Sequence, residues 1–137
     1  MFASGTVLHY EKLLITTGGS ARPWGRQQDQ EYIFRLQTLD DADRMLAKLP
    51  SLKNPIVIGS SFIALEFLEI FGAHAIRATL LMRGAHFFPA LLDAVGGELL
   101  KENFMRHGIA VLENDEVAHI KITDDALSVS TRGGTTL

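Results

Sequence analysis

Short apolar runs alternate with amphipathic stretches between residues 56 and 112, and this alternation predicts strands and helices in turn. Ile56–Ile58, residues 78–82 and residues 109–112 are the apolar runs, each typical of a strand buried in a sheet. Residues 61–75 and 91–107 have helical periodicity, and the second stretch places on one face Leu92, Val95, Leu99, Leu100 and Phe104. The order β-α-β-α-β predicts a parallel sheet with crossover helices, in which Ile56–Ile58 is a central strand.

The C-terminal part of the chain shows the pattern of antiparallel strands joined by tight turns. Val117–Ile122 and residues 126–131 flank a polar turn at residues 123–125, and Gly133-Gly134 marks a second turn before residues 135–137. We expect a β-meander whose third strand is incomplete, so that the natural protein continues beyond it. The predicted fold class is α/β, with a parallel sheet, crossover helices and an antiparallel β-meander.

The first 30 residues have a different composition from the rest of the chain. Residues 7–10 and 12–16 predict short strands, the second of them strongly apolar. Residues 17–30 then combine Gly-Gly, proline and polar side chains, which is typical of a linker between domains. We therefore expect residues 1–30 and residues 31–137 to belong to different domains.

A further helix is expected ahead of the sheet. Residues 32–34 predict a brief strand, after which Asp40 or Asp41 can cap a helix. The apolar side chains of this helix recur at helical spacing, at Ala42, Met45, Leu46 and Leu49. Pro50 ends the helix, since proline cannot continue it.

Length, composition and charge limit the classes of function. The 137 residues have room for about one domain, and 47% hydrophobic with 21% charged residues is typical of a globular protein. The net charge of −3 and the lack of a Lys/Arg run argue against nucleic acid as a partner. The absence of cysteine excludes disulfides, thiolate metal sites and a dithiol redox centre from this stretch.

Three other properties are expected from absences in the sequence. No apolar run approaches the ~20 residues of a membrane helix, and no signal peptide is visible, so we expect no membrane contact and a cytoplasmic location. The histidines show no metal-ligand spacing, so no metal site is expected.

The junction between the first predicted strand and the next helix matches a dinucleotide-binding pattern in part. Gly59 and Ala64 occupy the first and third positions of G-x-G-x-x-G/A, Ser60 lies between the first two, and Ser61 replaces the second glycine. The start of the helix presents unpaired N–H groups and the positive end of its dipole, which favours a pyrophosphate. Ser61 can donate a hydrogen bond to a phosphate or cap the helix instead, and Gly59 can simply end a strand in another α/β protein.

The end of the second predicted strand lacks the acidic residue that normally binds the adenosine ribose. Met82 occupies the strand end and Arg83 follows it. Arg83 can bind a 2′-phosphate through two hydrogen bonds, which favours NADP over NAD. The alternative is a solvated surface arginine, the more common location of this residue type.

Four segments in a fixed order carry a resemblance to a known family. They are residues 10–18 ahead of Pro23, residues 34–43, residues 56–66 and residues 106–109. Together they resemble the pyridine nucleotide-disulfide oxidoreductase superfamily, especially its ferredoxin-reductase and apoptosis-inducing-factor-like branch. The resemblance covers nearly the whole chain and implies a Rossmann-like nucleotide-binding domain.

The resemblance also implies roles for particular residues. It implies that residues 1–30 are the end of an FAD-binding domain and a linker, and that residues 31–137 are an NAD(P)H-binding domain, incomplete at its C-terminus. Thr17 and Gly18 would lie against FAD. The nicotinamide end of the cofactor would be contacted by Phe62, Ile63 and Glu66. The alternative for Glu66 is a glutamate facing solvent.

The implied function is delivery of hydride from NAD(P)H to FAD, which then reduces an acceptor that the sequence does not identify. The flavin domain of the same polypeptide is then a partner, no side chain of this stretch need act as a catalytic acid or base, and the isolated chain should be inactive. Two alternatives stay open. One is a degenerate Rossmann-like module with a structural or regulatory role and little nucleotide affinity. The other is a Rossmann-like enzyme that uses a nucleotide sugar or a methyl donor.

Overall fold

The computed structural model describes residues 3–22, 24, 31–123 and 127–137. Its elements are, in chain order, α1 (Leu39–Lys48), a short 3₁₀ helix (Leu49–Ser51), β1 (Ile56–Ile58), α2 (Phe62–Ala73), β2 (Thr79–Leu81), α3 (Ala94–Arg106), β3 (Ala110–Leu112), β4 (Val117–Ile122) and β5 (Leu127–Thr131). The first three strands pair in parallel and the last two are antiparallel, which confirms the predicted α/β fold class. None of the helices in the described ranges is long and apolar enough to cross a membrane.

Strand β2 is central in the parallel sheet, so the expectation that Ile56–Ile58 would be central is wrong. The strand order is β1-β2-β3. Both crossovers step in the same direction across the sheet, and no described residue outside β2 pairs with β1 as a strand. Ile58 is accordingly 50% exposed, whereas Leu80 and Leu81 of β2 are buried.

Helix α3 buries only part of the face that its apolar spacing predicts, with Leu100 and Phe104 packed in or against the core. Phe104 is buried, as expected, but Val95 and Leu99 are 69% and 62% exposed. The helix lies close to His86 at Gly97, where an added Cβ would lie 2.5 Å from the Cβ of His86. The buried face therefore runs from Gly97 to Phe104, and the face of Val95 and Leu99 is left outside.

Helix α1 begins one residue before the predicted caps. Thr38 is the N-cap, and its hydroxyl accepts the N–H of Asp41 while the Asp41 carboxylate accepts the N–H of Thr38. Hydrogen bonds from Thr38, first from its backbone and then from its hydroxyl, lower the pKa of Asp41. Asp41 is therefore part of a capping box and neither Asp40 nor Asp41 is the cap. The brief strand predicted at residues 32–34 does not form.

The described N-terminal segment contains no strand, which corrects the strands predicted at residues 7–10 and 12–16. A strand needs a partner for its backbone groups, and no described residue supplies one. The apolar side chains of this segment are exposed, Leu14 by 84%. The segment is attached to the remaining chain by Gln37, whose amide donates to the Gly19 carbonyl at 2.5 Å and accepts from the Ala21 N–H at 2.7 Å. The division into two domains at residue 30 stays a prediction.

The C-terminal strands form the predicted meander. Strands β4 and β5 pair from Val117–Thr131 to Ile122–Leu127, with a register shift after Val117. The N–H of Leu137 donates to the carbonyl of Val129 at 2.8 Å, and the reverse bond is 2.9 Å. The last residues therefore pair with β5 as a third antiparallel segment. The turn predicted at residues 123–125 lies mostly outside the described residues.

Asp115 connects the parallel sheet to the meander. Its N–H donates to the carbonyl of Met82 at 3.0 Å. Its Oδ1 accepts the N–H groups of Gly133 and Glu116, each at 2.8 Å. A hydrogen bond from the Thr131 side chain, followed by the one from Gly133, lowers the pKa of Asp115. One carboxylate thus joins the segment after β3 to the turn after β5.

We expect Asp115→Asn to lower the free energy of unfolding at neutral pH, because an amide is a weaker acceptor for these donors than a carboxylate. The folded-state pKa lies below the ordinary value of 3.8, so the stabilisation is complete above that value and is lost as pH falls through the folded pKa. The difference between the wild type and the variant should therefore shrink in acid. Urea unfolding between about pH 7 and about pH 3 measures it.

Asp43→Asn on the exposed part of α1 is the control for this prediction. It should leave the urea midpoint near that of the wild type at every pH. A difference between Asp115→Asn and the wild type that stays constant down to about pH 3 would contradict the assigned role of the Asp115 charge.

Candidate functional site

The carboxyl ends of the three parallel strands meet at one edge of the sheet, where ligands of open α/β sheets bind. Gly59 follows β1 at this edge, Met82 follows β2 and Glu113 follows β3. The Gly59 backbone has φ +126°, a conformation that side-chain-bearing residues rarely adopt. Apart from its two chain neighbours, no described residue has a heavy atom within 4 Å of the position where a Cβ of Gly59 would be. The turn is therefore open on that side.

The start of helix α2 faces the same turn without a side-chain cap. Ser61 occupies the N-cap position with φ −108° and ψ 172°, but its hydroxyl makes no capping hydrogen bond. The first turn of α2 also contains no acidic residue. The alternative that Ser61 caps the helix is therefore wrong, and the first N–H groups remain available to an anion together with the positive end of the helix dipole.

The structure brings three more of the predicted site residues to this helix start. Phe62 and Ile63 are 61% and 55% exposed in the first turn of α2, and Glu66 is exposed one turn later. Ala64 lies on the opposite face and is buried against the sheet, as the third position of the pattern requires. An exposed apolar pair and a carboxylate thus lie beside the open turn.

Met82 and Arg83 lie at the end of β2 in different environments. The Met82 side chain is only 1% exposed and belongs to the core, while its N–H donates to the Leu112 carbonyl at 2.8 Å. Arg83 is exposed directly after it. The backbone of Met82 therefore extends the pairing of β2 with β3. Of the two residues Met82 and Arg83, only Arg83 has a side chain that faces solvent.

Acidic residues after β3 do not replace the missing ribose-binding carboxylate. Glu113 forms an ion pair with Lys101 of α3 at 3.0 Å, and its hydrogen bond raises the pKa of Lys101. Asp115 binds backbone N–H groups of the meander, and Glu116 pairs with Arg132 at 3.0 Å. Each of these carboxylates already has a partner, so the described carboxyl edge has apolar Met82 where an acid normally lies, followed by the exposed cation of Arg83.

Phe88 is a part of this edge that the sequence patterns do not reveal. Its N–H donates to the Ser60 carbonyl at 3.3 Å, and its ring lies 4.3 Å from that of Phe62. The only signal in the sequence is an aromatic pair in a loop, which is usually a packing feature. Phe88 therefore joins the loop after β2 to the turn after β1.

Thr17 and Gly18, the predicted FAD-contacting residues, are not hydrogen-bonded to the Gly59 turn among the described residues. Both are exposed, and Gly18 has φ +73° next to the segment held by Gln37. No hydrogen bond between described residues joins them to Gly59 or to α2. Across the described ranges, no three His, Asp or Glu side chains are grouped so that they can hold a metal ion.

Comparison with known proteins identifies the family of this chain. The family model described as pyridine nucleotide-disulphide oxidoreductase matches residues 3–137. The chain belongs to this family. Membership of the pyridine nucleotide-disulphide oxidoreductases agrees with the resemblance seen in the sequence, and it rules against an enzyme that uses a nucleotide sugar or a methyl donor.

Individual family members match over most of this chain but over a smaller part of their own length. The epsilon subunit of NADH-dependent phenylglyoxylate dehydrogenase from Aromatoleum evansii is 25% identical over 136 residues, which are 98% of this chain and 32% of the relative. A chain of the covalent putidaredoxin reductase–putidaredoxin complex gives a TM-score of 0.83 at 24% identity, covering 98% of this chain and 34% of that chain. An engineered water-forming NADPH oxidase bound to NADPH gives a TM-score of 0.70 at 20% identity, over 74% and 22% of the two chains. This chain thus spans about a third or less of the length of these oxidoreductases.

Proposed function

We propose that this chain contains the NAD(P)H-binding domain of an FAD-dependent NAD(P)H oxidoreductase, with residues 1–30 contributed by the flavin domain and a linker. The observation that carries the proposal is the open Gly59 turn, which faces the uncapped start of α2 at the carboxyl edge of a parallel sheet. Family membership supports the same reading. Thr17 and Gly18 would then lie against FAD in the intact protein.

The residues of the turn fit the pyrophosphate of a dinucleotide. The first N–H groups of α2 and the Ser61 hydroxyl are donors, and the helix dipole adds a favourable potential for negative charge. Gly59 lets the backbone approach the phosphates without a side chain in the way. These groups bind and orient the cofactor, and no proton transfer by a side chain is required.

The nicotinamide half would lie along the exposed face of α2. Phe62 and Ile63 offer apolar surface that excludes water, and the Glu66 carboxylate can accept a hydrogen bond from the carboxamide. The nicotinamide supplies a hydride and FAD accepts it when both are bound. The reduced flavin would then pass its electrons to a further acceptor.

NADPH is the cofactor that the end of β2 favours. Arg83 can bind a 2′-phosphate, and the nearby acids that could accept ribose hydroxyls already have partners. The engineered oxidase that binds NADPH carries, among its five substitutions, an aspartate replaced by alanine and the next residue replaced by arginine. Met82-Arg83 is an apolar residue followed by arginine, which is the same chemical pattern.

Titration of the chain with NADPH and NADH tests the proposal. We expect saturable binding of NADPH, tighter than about 1 mM, and weaker binding of NADH, both measurable by calorimetry. The isolated chain should neither hold FAD tightly nor oxidise NADPH. Failure of both nucleotides to saturate would favour the alternative of a degenerate Rossmann-like module with a structural or regulatory role.

A further inference from the structure

The backbone of Phe88 is held in an unfavourable conformation by hydrogen bonds on both sides. Its φ is +47°, in the left-handed region that bulky residues rarely occupy. Its N–H donates to the Ser60 carbonyl, and its own carbonyl accepts the N–H groups of Leu91 and Leu92 at 2.9 and 2.8 Å. Such strained backbone conformations persist only where surrounding contacts hold them in place, and they are concentrated at ligand sites.

The hydrogen bond to Ser60 fixes the direction of the next N–H group in the turn. The peptide between Ser60 and Ser61 is trans, so its carbonyl and N–H point in opposite directions. With the carbonyl directed at Phe88, the N–H of Ser61 is directed away from Phe88. Phe88 therefore sets the orientation of a peptide unit at the entrance to α2.

The ring of Phe88 connects the exposed start of α2 to the core. It lies 4.3 Å from the ring of Phe62 and 4.6 Å, edge to face, from that of Phe87. Phe87 is 1% exposed and lies 5.3 Å from Phe104 of α3. A row of aromatic rings thus runs from the interior to Phe62 and restricts the positions that the exposed Phe62 ring can take.

We propose that Phe88 is a positioning residue for the dinucleotide, which orients the Ser60–Ser61 peptide for the pyrophosphate and holds the Phe62 ring for the nicotinamide half. This inference rests on the proposed function of the turn. It concerns the parts that NADPH and NADH share, so Phe88 should affect the affinity for both equally. Arg83, by contrast, should affect their ratio.

Four variants of the chain separate positioning from a purely structural role. Phe88→Gly keeps the N–H and tolerates positive φ but removes the ring, and Phe88→Leu keeps apolar volume without an aromatic face. Phe88→Tyr keeps both the N–H and the ring. Phe67→Leu is the matched control, because the ring of Phe67 stacks on that of Phe71, 6.4 Å away within α2, and not on Phe62 or Phe88.

Calorimetric titration with NADPH and NADH is carried out at a temperature at which circular dichroism shows each variant to be folded. We expect Phe88→Gly and Phe88→Leu to lower the affinity for both nucleotides by about tenfold and to leave the NADPH to NADH affinity ratio unchanged. Phe88→Tyr and Phe67→Leu should bind both nucleotides like the wild type. Because dissociation constants of folded variants are compared, a loss of stability alone does not produce this result. The leucine variant supplies the test if the glycine variant does not fold.

Two negative results have different meanings. Wild-type affinity in folded Phe88→Gly or Phe88→Leu, with NADPH binding intact in the wild type, would overturn the positioning role of the Phe88 side chain and leave the proposed function standing. Absence of nucleotide binding in the wild-type chain itself would overturn the proposed function and the role of Phe88 with it.

Discussion

Gly59→Ala is expected to raise the dissociation constants of NADPH and NADH by at least about tenfold. The variant must either hold alanine in a strained backbone conformation or change the shape of the turn. The Gly59 backbone has φ +126°, where a Cβ is strained whatever the space around it. The added methyl group would also project into the open side of the turn, where the phosphates are expected. Calorimetric titration of the folded variant measures the loss.

Gly108→Ala is the matched control for this experiment. Gly108 also has a positive φ, +78°, but it follows α3 and is distant in sequence from the turn. Its substitution should lower the melting temperature through the same kind of backbone strain and leave the dissociation constants unchanged. Equal nucleotide affinity in Gly59→Ala and the wild type would show that the Gly59 turn does not bind the phosphates.

Arg83→Ala should lower the affinity for NADPH by about tenfold or more and leave that for NADH nearly unchanged. A charge-assisted hydrogen bond between a guanidinium and a phosphate contributes roughly 1.5–3 kcal/mol, and only NADPH carries the 2′-phosphate. The NADPH to NADH affinity ratio is therefore the quantity to measure. Raising the ionic strength should lower that ratio in the wild type and have less effect in the variant.

Arg77→Ala is the control for the charge itself. Arg77 is exposed like Arg83 but precedes β2, and therefore lies at the amino end of the strand, opposite the candidate site. Its removal makes the net charge more negative by the same amount and should leave the ratio as it is in the wild type. An unchanged ratio in Arg83→Ala would remove the argument for NADPH and leave Arg83 as a solvated surface residue.

The local elements of the parallel sheet were predictable because each depends on neighbouring residues. Ile56–Ile58 is a β-branched run, which favours a strand, and the glycine that follows it favours a tight turn. The crossover helices follow from apolar periodicity, and their ends agree with the prediction to within three residues. The open turn at Gly59 was therefore anticipated from the sequence together with the start of α2.

Errors occurred where a structure depends on partners distant in the sequence. The apolar run at residues 12–16 has strand composition, but no described residue pairs with it and it remains without strand structure. Two apolar side chains predicted on the buried face of α3, Val95 and Leu99, are exposed, and the helix instead lies close to His86 at Gly97. The central position of β2 depends on the direction of both crossovers.

By itself, the sequence determined the class of fold, the order of its elements and the location of the glycine turn, because periodicity and backbone freedom are local properties. Only the tertiary structure decided that Ser61 leaves the start of α2 uncapped and that the Met82 side chain lies in the core. It also decided that Phe88 holds the turn from a loop 28 residues later in the chain. Each of these depends on the spatial meeting of segments that are far apart in sequence, where hydrogen bonding and packing override local preference.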